Sequence, residues 1–324
     1  MPPVSRNPWS CWAPETDMDI PNSLRRSVHA LTHDWGRRTV IGIPYLFLFV
    51  LFTVPFLVVL KLSVSETDGI RFLDLLSYAD GVVHLKIKLS NYLFLGSDPL
   101  YVETYWSSIK FAGINTLICL AIGYPFAYFM ARSPANRRPA LLMLVSLPFW
   151  TSYLLRVYAW KGLLDDQGVF NNVLIWLHLI HQPIRMMHTA FSMTIGMVYA
   201  YLPFMILPLY ANLVKMDLRL LEAAQDLGAT PWQTFWLVTV PLSKNGIIAG
   251  AMLVFIPSMG EYVIPELLGG PSTLMIGRVL WDEFFSNNDW AMASAVAVSM
   301  VMLILVPLAI FYRYRADTGG VRGV

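Results

Sequence analysis

Long apolar runs, separated by short polar segments, dominate the pattern of this chain. Each run has roughly 20 residues, enough to cross about 30 Å of hydrocarbon as a helix that rises about 1.5 Å per residue. The pattern predicts six membrane-spanning helices, at residues 40–64, 107–131, 140–160, 191–214, 245–265 and 291–312. Thr151, Ser152 and Arg156 interrupt the third run, so counts of five or seven spans stay open.

One polar segment, between the fourth and fifth runs, has a helical period of its own. Its charged residues are spaced so that opposite charges share one helical face, and they are Lys215, Arg219, Glu222 and Asp226. Leu220, Ala223 and Leu227 form a second stripe at similar spacing. Gly228 follows and suits the left-handed turn that ends many helices. The pattern therefore predicts a short helix that ends at this glycine.

A second short helix is predicted directly after Gly228. Thr230 can cap its start, Pro231 suits the first helical position, and Gln233 completes a capping-box pattern. Pro241 is expected to end it near residue 240. The segment is thus predicted as helix, glycine bend and helix.

The residues alone leave two interpretations of this segment open. It can be an amphipathic helix that anchors a loop at the lipid headgroups. It can also be a docking element, since its small residues let a partner approach closely. These small residues are Ala223, Ala224, Gly228 and Ala229.

Composition supports a membrane protein and excludes several other classes. Of 324 residues, 56% are hydrophobic and only 14% are charged, whereas soluble domains carry about 25% charged residues. The net charge of +2 gives no electrostatic basis for binding nucleic acid. The two cysteines, Cys11 and Cys119, support neither a disulfide framework nor a zinc site. The N-terminal stretch has no short apolar core, so no cleavable signal peptide is predicted.

The basic residues predict the orientation in the membrane. They concentrate on one side, at Arg25, Arg26, Arg37, Arg38, Arg132, Arg137, Arg138, Lys215, Arg219, Lys244, Arg313 and Arg315. By the positive-inside rule, both termini and the polar segment face the cytoplasm. The predicted organisation is a cytoplasmic tail at 1–38, a six-helix membrane domain at 39–315 that includes the polar segment 215–243, and a cytoplasmic tail at 316–324.

Motifs for nucleotide hydrolysis and metal chemistry are missing from the sequence. There is no G-x-x-x-x-G-K-[ST], H-E-x-x-H or G-x-S-x-G pattern. His178, His181 and His188 are the nearest group of potential ligands, but such loop histidines are more often solvated or hydrogen-bonded. We therefore expect no catalytic residues, no metal site and no enzyme activity in this chain.

The polar segment resembles the "EAA" motif of permease subunits of bacterial ABC importers. That motif reads EAA, three residues, G, nine residues, I-x-L-P. Glu222, Ala223, Ala224, Gly228 and Pro241 match it, with valines at 238 and 240 in place of Ile and Leu. The resemblance implies an all-α type I importer permease (MetI-like), with six membrane helices and a cytoplasmic coupling helix. It also implies that this segment, with Asp226 and Pro231, contacts a separate ATP-binding subunit.

Three further stretches resemble the permease subunits of polyamine importers, those for putrescine first and those for spermidine and putrescine second. They are LPFWTSYLLRVYAWKGLL (147–164), AYLPFMILPLY (200–210) and VFIPSMGEYVIPELLGG (254–270). The resemblance implies a multi-pass subunit in the bacterial inner membrane. Its expected partners are a second homologous permease, two ATP-binding subunits and a periplasmic polyamine-binding protein. ATP and Mg²⁺ would be used by the ATP-binding subunits, and this chain would bind no cofactor.

Glu261 is the strongest candidate for a cation pathway, because an ionisable group late in the fifth span is costly without a role. A structural hydrogen bond or an ion pair with Arg156 is the alternative. Aromatic faces for an ammonium group could come from Tyr153, Tyr158, Trp160 and Tyr201, although each can also be an interfacial aromatic. Asp165, Asp166 and Glu266 could attract cations at the outer mouth, or simply be solvated loop residues.

Two other functions stay open at this point. One is a permease of the same build for a different small solute, such as a sugar, sulfate or an iron complex. The other is a self-sufficient secondary carrier or channel, which would need no ATP-binding subunit.

Overall fold

The computed structural model describes residues 22–65, 67–68, 71–72, 76–79, 82–85 and 89–319. Within them the chain is almost entirely helical. The α-helices are α1 (Asn22–Ser63), α2 (Ser90–Ser97), α3 (Pro99–Arg132), α4 (Arg138–Ser146), α5 (Tyr153–Leu164), α6 (Val169–Trp176), α7 (Ala190–Leu213), α8 (Arg219–Asp226), α9 (Pro231–Thr234), α10 (Val240–Leu242), α11 (Lys244–Met259), α12 (Val263–Leu267), α13 (Ile276–Trp281) and α14 (Trp290–Gly319). Of the predicted tails, residues 1–21 and 320–324 lie outside the described residues.

Four short strands follow α1 and form two separate antiparallel pairs. Strand β1 (Thr67–Asp68) pairs with β2 (Arg71–Phe72), and β3 (Leu76–Ala79) pairs with β4 (Val82–Leu85). Each pair joins neighbouring segments of the chain, so the strands form local hairpins.

The chain divides into two compact units, residues 1–58 and 59–324. The first unit contains most of α1, which begins at Asn22. Apolar side chains along α1, such as Tyr45 and Phe52, are exposed. A helix that is apolar on all sides is typical of a membrane span that faces lipid or another protein.

The described residues contain four helices that are long and apolar enough to span a membrane, and six if two bent pairs each count as one span. The four are Thr39–Ser63, Pro99–Arg132, Ala190–Leu213 and Trp290–Ala309. Arg138–Trp150 and Tyr153–Trp176 form the first bent pair, at 88°. Pro231–Leu242 and Lys244–Met259 form the second, at 66°.

Several predicted span ends are wrong. The span predicted at 140–160 is not one helix, because a 3₁₀ turn (Leu147–Trp150) and an extended Thr151 break it. The second span begins earlier than predicted, at Pro99, where the side chain of Asp98 accepts a hydrogen bond from the amide of Leu100 at 2.8 Å. The fifth span ends at Met259 rather than at 265, and α14 extends beyond the predicted 291–312.

The core of the second unit lies where α3, α7 and α11 pack together. Met193, Met197, Met205 and Leu209 of α7 are fully buried there. A polar contact joins α3 to α11, since Nδ2 of Asn115 donates to Oγ of Ser258 at 2.8 Å. These three helices are the scaffold from which α8–α10 extend at one end and α12–α13 at the other.

Candidate functional site

The polar segment between α7 and α11 folds largely as its sequence predicts. Helix α8 ends before Gly228, which has the left-handed φ of 89°. Helix α9 begins with a capping box: the amide of Gln233 donates to Oγ1 of Thr230 at 3.3 Å, and the amide of Thr230 donates to Oε1 of Gln233 at 2.8 Å. Pro231 is the first residue of α9. The predicted helix, glycine bend and helix are confirmed.

Two details of this segment differ from the prediction. Lys215 lies in the turn after α7, and Asp217, just before α8, accepts from the amide of Arg219 at 3.0 Å. The predicted charged face therefore loses Lys215, and the described residues show no ion pair between Arg219 and Glu222 or Asp226.

The second helix also does not end at Pro241. A π-helical turn (Phe235–Thr239) follows α9, and α10 continues to Leu242. In this turn the amide of Val240 donates to the carbonyl of Phe235, five residues back. Pro241 then falls in the first turn of α10, where a missing amide hydrogen is tolerated.

The segment packs against the bundle through Phe235 and presents most of its other apolar side chains outward. Leu221 is buried, and the Phe235 ring meets the rings of Tyr124 and Tyr128 edge-on, with centroids 5.5 and 6.0 Å apart. Other apolar side chains of α8–α9 are exposed, including Leu227 at 89% and Trp232 at 70%. Glu222, Ala223 and Asp226 are exposed as well, and Ala224 is half-buried. The segment is thus an ordered surface with apolar residues that the described part of the chain does not cover.

Glu261 is the centre of a second, buried arrangement, with 8% of its surface exposed. Its Oε1 accepts from the hydroxyl of Tyr153 at 2.9 Å and from the amides of Val263 and Ile264 at 3.1 and 3.4 Å. Its Oε2 accepts from the hydroxyl of Tyr201. The carboxylate therefore joins α5 and α7 to the start of α12, where a negative charge near amide donors is favourable.

The position and partners of Glu261 correct two expectations. The residue lies just beyond the end of α11, not inside the fifth span, because the helix stops at Met259. The alternative ion pair with Arg156 is not present among the described residues. The Arg156 guanidinium lies over the Tyr153 ring, 5.6 Å from its centroid.

A glycine of α13 fits closely against the backbone beside Glu261. A Cβ placed on Gly277 would lie 2.5 Å from the carbonyl oxygen of Gly260 and 2.6 Å from that of Glu261. Any side chain there would push this backbone away. The close approach helps to fix the backbone at Glu261.

Tyr158 and Trp160 do not reach Glu261, although they share α5 with Tyr153. The ring of Trp160 stacks on Phe170 at 6.1 Å and meets Tyr199 edge-on at 5.4 Å, so it is a packing residue. Tyr158 lines a separate cavity of about 530 Å³. Its charged lining residues are Lys161, Asp165, Asp166 and Arg185. The cavity thus brings two of the three predicted outer carboxylates together, but with two cations beside them.

Glu266 forms an ion pair that the sequence analysis missed. Its Oε2 lies 2.7 Å from Nε of Arg278, which is also 3.9 Å from Oδ2 of Asp282. The Tyr262 ring stacks on Trp281 beside this pair, with centroids 4.3 Å apart. The four-residue spacing of Arg278 and Asp282 was the available signal. Glu266 is thus already partnered by a cation.

The described residues contain no group of His, Cys, Asp and Glu side chains that could hold a metal ion. Of the three loop histidines, His188 has its Nδ1 3.1 Å from the carbonyl oxygen of Gly269.

Comparison with known proteins places this arrangement in one family. The family model described as "Binding-protein-dependent transport system inner membrane component" matches residues 37–316. The spermidine/putrescine transport system permease protein PotB of Haemophilus influenzae is 44% identical over 273 residues, covering 84% of this chain and 90% of that protein. PotB of Escherichia coli (strain K12) is 40% identical over 275 residues, covering 85% of this chain and 94% of that protein.

Solved structures show the same fold at low sequence identity. A bacterial ABC transporter involved in the import of the acidic polysaccharide alginate has a chain with a TM-score of 0.63 and 17% identity, covering 89% of this chain and 99% of that chain. The alginate transporter in complex with a pentasaccharide-bound periplasmic protein gives a TM-score of 0.66 and 15% identity, covering 91% and 98%. The predicted fold class, an all-α membrane protein of the type I importer permease build, is confirmed.

Proposed function

Because this chain belongs to the family of binding-protein-dependent transport system inner membrane components, we propose that it is the permease subunit of an ATP-driven polyamine importer. The family is one of transport subunits, so the chain is a multi-pass inner-membrane transport protein and not an enzyme. Putrescine is the proposed substrate, with spermidine as a second. The chain would form half of the pathway, and a second homologous permease would form the other half.

The exposed α8–α9 surface is the observation that carries the coupling part of this proposal. Leu227 and Trp232 protrude from an ordered, capped segment, and exposed apolar residues of this kind mark interaction sites. We assign this surface to an ATP-binding subunit, which the small residues Ala223, Ala224 and Gly228 would let approach closely. Two such subunits would use ATP and Mg²⁺, and this chain would bind neither. Their closure would move α8–α9 and switch the permease pair between inward-open and outward-open states.

The polyamine part of the proposal rests on the relatives and on the chemistry around Glu261. The two PotB relatives are named as spermidine/putrescine permeases. Diamines carry two positive charges and a short apolar middle, which suits carboxylates and aromatic rings. Glu261, Tyr153 and Tyr201 form the inner group of such a pathway. Tyr158, Asp165 and Asp166 form an outer group, while Trp160 and Glu266 are occupied by packing and by Arg278.

Orientation is part of the same proposal, with both termini and α8–α9 in the cytoplasm and a periplasmic polyamine-binding protein at the opposite end. A membrane-impermeant thiol reagent tests this in intact spheroplasts, in a Cys11→Ser background. Leu179→Cys should be labelled from outside, whereas Leu227→Cys should be labelled only after the membrane is opened. Both side chains are well exposed, at 68% and 89%, so accessibility alone cannot produce the difference. The reverse pattern would overturn the orientation.

Uptake of labelled putrescine and spermidine tests the substrate. A strain without this chain and without other polyamine importers should lose uptake, and the restored gene should return it. Uptake of an unrelated amino acid is the control. Unchanged polyamine uptake in the deletion strain would favour the alternative of a permease for another small solute.

Reconstitution tests the remaining alternative, a self-sufficient carrier or channel. Liposomes that contain this chain alone should show no polyamine flux. Flux should need the second permease, the ATP-binding subunits, the binding protein and ATP with Mg²⁺. Flux by the chain alone would refute the proposal.

A further inference from the structure

An apolar groove runs along the side of the bundle between α3, α4 and α7. It has a volume of about 320 Å³, and its floor is formed by the buried side chains of Met130 and Ile206. Phe126, Phe129 and Leu144 form an exposed rim. The groove therefore offers apolar walls at the depth of the membrane-spanning helices.

The groove continues into a basic pocket at the connection between α3 and α4. This pocket has a volume of about 550 Å³, and it shares Phe129 and Leu141 with the groove. Arg132 and Arg137 line it. The two cavities thus meet, with apolar walls on one side of the junction and guanidinium groups on the other.

The two arginines at this pocket have no carboxylate partner among the described residues. The Arg132 guanidinium is held over the Tyr128 ring at 5.2 Å, and its Nη2 donates to the Tyr128 hydroxyl at 3.2 Å. Arg138 is different, because its Nε donates to the carbonyl of Ser133 at 2.9 Å and so fixes the loop. Arg132 and Arg137 are left to contact an anion.

We propose that this groove and pocket bind one anionic phospholipid, with its phosphate at Arg132 and Arg137 and an acyl chain along α3, α4 and α7. A phospholipid has apolar acyl chains at one end and an anionic phosphate at the other. The two cavities match this arrangement, with apolar walls along the helices and two arginines at the end of α3. Basic pockets between membrane helices are known to suit anionic headgroups. An apolar helix of a partner subunit would fill the groove but would not by itself supply an anion to the two guanidinium groups. This site does not depend on which solute the importer carries.

Native mass spectrometry of the complete importer tests the site, with dioleoyl phosphatidylglycerol as the probe and dioleoyl phosphatidylcholine as the neutral comparison. The wild-type importer should retain more phosphatidylglycerol than phosphatidylcholine. Arg132→Gln and Arg137→Gln should each lower that retention by about fivefold, and the double variant by about twenty-five-fold. Arg313→Gln, which removes an exposed charge near the end of α14, is the matched control and should retain lipid normally.

Further experiments distinguish a phospholipid from other possible occupants of the groove and pocket. Dihexanoyl phosphatidylglycerol and inorganic phosphate carry the anion without long chains, and neither should displace the dioleoyl lipid at equal concentration. Equal retention of the two dioleoyl lipids, or an unchanged double variant, would overturn the proposal. Efficient crosslinking of Leu144→Cys to the partner permease within the importer would also overturn it, because a protein helix would then occupy the groove. Size-exclusion profiles confirm that each variant still assembles.

Discussion

The hydroxyl of Tyr201 should contribute more to stability than any other single donor to Glu261. Among the described residues, Tyr201 is the one donor to Oε2, whereas Oε1 accepts from Tyr153 and from the amides of Val263 and Ile264. Tyr201→Phe removes this donor and keeps the ring, so no large cavity is created. The carboxylate oxygen is then left buried without a donor.

The structure sets the expected magnitude. A hydrogen bond to a charged group contributes about 1.5–3 kcal/mol, and we expect Tyr201→Phe to lower the free energy of unfolding by about 2–3 kcal/mol because Oε2 has no substitute. Tyr153→Phe should cost about 1 kcal/mol, since two amide donors remain on Oε1. Tyr158→Phe is the matched control: its ring is half-exposed and away from Glu261, so it should change stability by less than about 0.5 kcal/mol.

Denaturant titration of the purified permease pair in detergent, followed by tryptophan fluorescence, measures these differences. A double-mutant cycle with Glu261→Gln isolates the charge. In that background Tyr201→Phe should cost only about 0.5–1.5 kcal/mol, the value for a neutral hydrogen bond. The reasoning fails if Tyr153→Phe costs more than Tyr201→Phe. It also fails if the cost of Tyr201→Phe is the same with Glu and with Gln at 261.

Three further changes test the coupling surface, the backbone beside Glu261 and the pathway. Leu227→Ser removes an exposed leucine from α8–α9 and should weaken association with the ATP-binding subunit by about tenfold or more in a pull-down assay. Leu179→Ser, at an exposed leucine in another loop, is the control, and equal effects of the two changes would contradict docking at α8–α9. Gly277→Ala should lower the free energy of unfolding by about 1–3 kcal/mol, because its Cβ would lie 2.5 Å from the carbonyl oxygen of Gly260. Gly113→Ala is the control and should be tolerated, because a Cβ there would have no neighbouring atom within 4 Å. Glu261→Gln should lower polyamine uptake by about tenfold, roughly 1.4 kcal/mol, while the importer still assembles. Uptake at the wild-type level would show that Glu261 has only a structural role.

The features that the sequence predicts well are those whose signals are local. Apolar runs of spanning length predict the membrane helices, and the capping residues Thr230 and Gln233 predict the start of α9. Gly228 predicts the bend, because a left-handed φ excludes most other residues. Each of these depends on a few neighbouring residues, so no knowledge of the tertiary contacts is needed.

The breaks within spans depend on packing and could not be predicted to the same degree. Thr151 and Ser152 mark an interruption, but the size of the bend, 88°, is not encoded in these residues, and after it α5 packs against α7 and α12. Pro241 is a reasonable stop signal, yet the π turn before it shifts the hydrogen-bond register so that the helix continues. Here the tertiary contacts of Phe235 with α3 outweigh the local preference.

The Glu261 arrangement shows which part of a site a sequence can supply. The cost of a buried carboxylate singles out Glu261, but its partners lie 108 and 60 residues away, at Tyr153 and Tyr201. Helical geometry could still have separated the candidates on α5. At about 100° per residue, Tyr158 is rotated by roughly 140° from Tyr153, and Trp160 lies on nearly the same face but about 10 Å along the axis. One carboxylate that accepts from Tyr153 therefore cannot also contact either of the other two. This geometric limit separates Tyr153, which contacts Glu261, from Tyr158, which lines the separate cavity, and from Trp160, which packs on Phe170 and Tyr199.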